Sequence, residues 1–133
     1  MEIVNSNCAS FSNYEVLKHL QTIKDGKRKH IGQLATITYE TIRYLENTPS
    51  NDQTRDTIRD CMKDLAAFNL NKTEILMIIN SPPTTALEIQ LMVEESEERL
   101  TEEQVQDILN IVAKHFPHIV KEQPEEENEE EPE

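Results

Sequence analysis

Four histidines and two cysteines are the side chains best suited to metal binding or nucleophilic chemistry, and their spacing limits what they can do. His19, His30, His115 and His118 are scattered along the chain. Only His115 and His118 are close enough to share one helical face, and no third or fourth ligand of suitable type stands with them, so no zinc site is expected. Cys8 and Cys61 lie far apart without a CxxC pair, which gives neither a zinc framework nor a disulfide scaffold and fits an intracellular compartment. Carboxylates are abundant, but most occur in runs that repel one another and stay solvated, whereas general acid–base catalysis calls for an enclosed group with a shifted pKa. There is no Walker A run and no GxGxxG loop. This inventory implies no enzyme and no cofactor, and it leaves a binding or scaffolding subunit as the leading class.

Charge is the next candidate for function. The net charge is −13, yet the eight glutamates between Glu122 and Glu133 carry most of it, and about −5 remains without them. That acidic tail, residues 118–133, has too little apolar surface to offset its ordering entropy and is expected to be disordered. The opposite bias occurs once, at Lys24, Lys27, Arg28, Lys29 and His30, between Gly26 and Gly32. It reads as an exposed loop. Phosphate contact through Lys24, Lys27, Arg28 and Lys29 is the alternative, although no aromatic residue is interleaved to stack a base.

The elements that position these residues are helices. Two glycines and six prolines in 133 residues, with no Asn-Gly or Asp-Gly turn between alternating apolar runs, leave little room for hairpins, so the fold class is all-α. One domain of ordinary size with appendages is expected. No apolar run approaches the ~20 residues of a membrane span, and the N-terminus lacks the pattern of a signal peptide. Ile3 and Val4 form a short β-leaning strand that needs a host edge. Ser12 and Glu15 make a capping box ahead of a helix over about 13–24, and a second helix follows over about 34–46 with Leu34, Ile37, Ile42, Tyr44 and Leu45 as its apolar surface. Asn47 to Asp52, with Pro49 among them, break the pattern and divide an N-terminal region, 1–49, from a module over 50–117.

Within the module four helices are expected. The first runs over about 54–68 on Ile58, Cys61, Met62, Leu65 and Phe68. The second opens at Asn71 and Glu74, and its Ile75 to Ile79 are apolar nearly all round, as in a buried central helix. Two more start at the caps Thr85/Glu88 and Thr101/Gln104, joined by the acidic stretch EESEERL, which must face water or a basic partner because unpaired buried charges cost several kcal/mol each. Pro117 ends the last of them.

Three stretches carry a family resemblance: SNYEVLKHL, TITYETIRYLENTP and above all ALEIQLMVEESEERLTEEQVQDIL. They resemble the small helical subunit of the RNA polymerase III stalk, the calcitonin-gene-related-peptide receptor component protein family, related to the fourth subunit of RNA polymerase II and the archaeal F subunit. The likeness covers nearly the whole chain to Phe116. It implies an HRDC-like module and a non-catalytic, nuclear role in transcribing transfer RNA, 5S ribosomal RNA and other small RNA genes. It also implies a heterodimer with a stalk subunit bearing an oligonucleotide-binding barrel, attached to the polymerase core. By position, the partner-binding region corresponds to Ile3, Val4, Tyr14, Val16, Leu17, Leu20, Ile37 and Tyr44. HRDC modules of helicases bind nucleic acid through basic surfaces, whereas Glu94, Glu95, Glu97, Glu98, Glu102 and Glu103 make the corresponding end acidic here, so nucleic acid is expected to be contacted at most indirectly. The competing reading is a stand-alone nucleic-acid-binding module acting through loop 24–30. A receptor-coupling role, which the family's other name suggests, finds no membrane feature to support it.

Overall fold

A computed structural model describes residue 4 and residues 9–26 and 32–122, with 120–122 described by their backbone alone. The described residues form seven α-helices: α1 Asn13–Asp25, α2 Gln33–Glu46, α3 Arg55–Leu65, α4 Lys72–Asn80, α5 Ala86–Met92, α6 Ser96–Arg99 and α7 Glu102–His115. Short 3-10 turns at Pro49–Asp52, Ala66–Phe68 and Pro117–Glu122 link or close them. Capping explains most of the starts. Ser12/Glu15, Thr54/Thr57, Asn71/Glu74 and Thr101/Gln104 each form a reciprocal capping box, in which two otherwise orphaned backbone amides are satisfied by side chains. At α5 the device is displaced by one residue: Thr85 Oγ1 accepts from the Glu88 amide, but the Glu88 carboxylate accepts from the Thr84 amide at 2.8 Å.

The apolar side chains collect in two clusters. The larger joins α3, α5 and α7 around Cys61, Leu65, Ile89, Ile108 and Val112, with Ile78 of α4 and Phe116 also fully buried. The smaller is Leu17, Ile42 and Leu45, flanked by Val16 and Leu20. Leu17, in the first half of α1, thus meets the last turns of α2, so the two helices pack antiparallel.

Four expectations change. No strand occurs among the described residues: Ile3 lies outside them, and Val4 is a bend that is 94% exposed. A strand needs a neighbouring ladder for its amides and carbonyls, and the described residues offer Val4 none. The acidic connection is not a plain linker but contains the single-turn helix α6, so the module has five helices where four were expected. Packing also continues past Pro117, because the following 3-10 turn returns Ile119 to the larger core. Residues 123–133, expected to be disordered, lie outside the described residues. Finally, α4 is not buried all round: Ile78 and Ile79 are buried, while Met77 is 42% exposed.

Candidate protein-interaction surface

The α1–α2 hairpin uses only part of its apolar surface on itself. Along α2, Thr38, Ile42 and Leu45 are buried, while Leu34, Ile37 and Tyr44 form an adjoining stripe that stays uncovered, with Ile37 61% and Tyr44 69% exposed. Their three- and seven-residue spacing aligns them on one face of the helix. Thr38 donates its hydroxyl to the Leu34 carbonyl at 2.8 Å, which satisfies the one polar group on the buried stripe. Phe11, just before α1, is exposed as well.

Of the other residues expected to hold a partner, Tyr14 is half-buried, with the Lys18 ammonium 5.7 Å from its ring centre. Val16 and Leu20 are partly buried against the hairpin's own cluster, and Leu17 is 1% exposed at its centre. Leu17 therefore shapes this surface from within. Lys24 is exposed in the last turn of α1, whereas Lys27, Arg28, Lys29 and Ile3 lie outside the described residues. The exposure of Leu34 continues the Ile37 and Tyr44 stripe one turn upstream, a signal present in the i, i+3 spacing of the sequence.

Polar contacts fix this hairpin to the larger unit. The Leu45 carbonyl at the end of α2 accepts from both Thr48 Oγ1 and Ser50 Oγ, at 2.6 and 3.1 Å. Gln53 donates through Nε2 to the Ile79 carbonyl at 2.7 Å, and the Asn13 amide donates to Asn80 Oδ1 at 2.8 Å. The hairpin is thus pinned at the end of α4, and its uncovered stripe is held in a defined orientation.

At the acidic connection the geometry is equally specific. Glu74, 3% exposed, receives both arms of Arg99, with Nη1 donating to Oε2 at 2.8 Å and Nη2 to Oε1 at 2.9 Å. The same carboxylate accepts from the Asn71 amide at 3.0 Å and the Glu94 amide at 3.0 Å. Arg99 also donates to the carbonyls of Glu94 and Asn69. Four donors around one carboxylate, the Arg99 guanidinium first among them, hold its pKa down to about 2 despite burial. Of the EESEERL stretch, Ser96 is buried and Arg99 turns inward, leaving Glu94, Glu95, Glu97 and Glu98 to the solvent. Arg99 was the residue that reading from sequence missed, since its partner lies 25 positions upstream.

The histidines divide in the same structural way. His115 Nε2 lies 2.6 Å from Asp64 Oδ2 and ties α7 to α3, and this contact holds the Asp64 carboxyl below its ordinary value. Among the described residues no group of three His, Cys, Asp or Glu side chains could hold a metal, and no helix is long and apolar enough to cross a membrane.

An uncovered apolar stripe on a pinned helical hairpin, beside a second apolar core, is the kind of surface on which small helical subunits dock other proteins. Residues 10–116 match the RNA polymerase Rpb4 family, and the chain belongs to that family. It is 26% identical over 129 residues to DNA-directed RNA polymerase III subunit rpc9 of Schizosaccharomyces pombe, a match spanning 88% of this chain and 100% of the relative. It is 28% identical over 102 residues to the Dictyostelium discoideum protein of the same name, spanning 72% of this chain and 75% of that relative.

Proposed function

We propose that the chain is a non-catalytic subunit of RNA polymerase III that works by holding a partner. Family membership carries this reading, and both relatives above bear the name of a subunit of that polymerase. The α1–α2 hairpin is the adhesive part, contributing Ile37 and Tyr44 directly while Leu17 fixes the spacing of its two helices. Its occupant is the stalk subunit that bears an oligonucleotide-binding barrel. Residues 50–117 form an HRDC-like module that projects from the pair. The chain acts in the nucleus, within the polymerase, in initiation at small RNA genes.

Affinity purification of the tagged full chain from nuclear extract tests this reading. The expected result is recovery of the RNA polymerase III subunits, the barrel-bearing one included, in comparable amounts. Recovery of another polymerase alone, or of none, would overturn it.

A further inference from the structure

An open groove of about 800 Å³ runs between the first half of α1 and the length of α3. Ile58 and the exposed Met62 form its apolar floor, and Lys18, Arg55, Arg59 and Lys63 stand along its rim. Arg59 is partnered by Asp56 and Asp60 at 3.3 and 3.6 Å. Lys18 has only Gln21 Oε1 at 3.5 Å and the Tyr14 ring, and among the described residues no carboxylate pairs with Lys18, Arg55 or Lys63. Glu15, also on the groove, is engaged in capping α1. In a chain with 26 acidic and 13 basic residues, three unpaired cations on one groove invert the charge of the surrounding surface.

We propose that the acidic segment 123–133 of the same chain occupies this groove. It carries seven glutamates, the complement of the rim, while Pro124, Pro132 and the glutamate methylenes supply contacts for the floor. Its root is in the right place. The 3-10 turn Pro117–Glu122 packs against the 3-10 turn Pro49–Asp52, which itself packs on α1 and leads within three residues to Arg55 at the groove's end. Eleven residues reach up to ~36 Å when extended, more than twice the ~16 Å length of α3. Lys24, which begins the other cationic stretch, sits at the opposite end of α1 from that root. Tethering raises the local concentration of the segment to about the millimolar range, so a weak site is filled without further contacts.

Amide spectra of the full chain and of a chain ending at Glu122 test the proposal. Shortening should shift resonances of residues 14–18 and 55–63, and the difference should vanish at about 1 M salt, where the screening length falls to ~3 Å. Adding a peptide of residues 123–133 to the shortened chain should restore the original positions. The combined variant Lys18→Glu, Arg55→Glu, Lys63→Glu, altered only at exposed side chains, should give the same spectrum with and without the segment. Unchanged spectra on shortening, shifts centred on Lys24 or another surface, or shifts that persist in the charge-reversed variant would each overturn the proposal.

Discussion

Glu74 shows how one buried charge sets a pH dependence. Its folded pKa, about 2, lies below the ordinary value of 4.5, so its contribution to stability is complete above about 4.5 and is lost as pH falls from there towards 2. The shift corresponds to roughly 3 kcal/mol. Arg99→Ala should lower stability near neutral pH, because it leaves the buried carboxylate without its cation and with only the Asn71 and Glu94 amides to hold it. It should also flatten the acid limb of a plot of melting temperature against pH, and an unchanged limb would show that other carboxylates govern acid unfolding. Cys61 supplies a second test at this scale. Burial, and then the Asp64 charge, push its thiol up to about 12, so it stays protonated and shielded. A thiol reagent at pH 8 should modify Cys61 only after denaturant is added, as read from a Cys8→Ser chain; rapid modification of Cys61 in the native state would mean that α3 opens readily.

The helices divide into those that make the core and those that leave a face uncovered. Leu17 is central to the small cluster between α1 and α2, so Leu17→Asp should put a carboxylate among the apolar side chains of Ile42, Leu45, Val16 and Leu20, at a cost of several kcal/mol. The hairpin should loosen, which loss of helical circular dichroism would report. A native spectrum would show that the cluster tolerates charge and that α1 can turn this face outward. Most helices were legible in the sequence because their caps are local: Ser12/Glu15, Asn71/Glu74 and Thr101/Gln104 lie three residues apart and need no tertiary partner. α6 was not, since a four-residue helix at Ser96–Arg99 has no apolar period and is fixed by an ion pair from α4. Strand propensity at Ile3 and Val4 was a misleading signal, because propensity supplies no partner for backbone groups.

At the scale of the molecule, two apolar clusters are joined through the turn at Pro49–Asp52, and Gln53 and Asn13 lock them together. The break at residues 47–52 was visible as a run of turn formers. What the break does was not, because the contacts from Gln53 to Ile79 and from Asn13 to Asn80 span 26 and 67 positions. Which apolar residues of α2 stay uncovered was equally hidden: the buried and exposed stripes are adjacent, and only the placement of α1 separates Ile42 and Leu45 from Ile37 and Tyr44.

Those two exposed residues allow binding to be separated from folding, which Leu17 does not. Ile37→Asp with Tyr44→Asp changes side chains that face solvent in the isolated chain, so its melting temperature should stay within about 4 °C of the original, the scale of less than 1 kcal/mol for a domain of this size. Burying the pair against a partner is worth roughly 3 kcal/mol or more, so the same change should weaken association at least a hundredfold. The decisive measurement is the affinity of the double variant for the barrel-bearing stalk subunit, by calorimetry, alongside its thermal melt. Loss of binding with an unchanged melt is the predicted result; full affinity in a normally folded double variant would contradict the assignment of this stripe as the polymerase-facing surface.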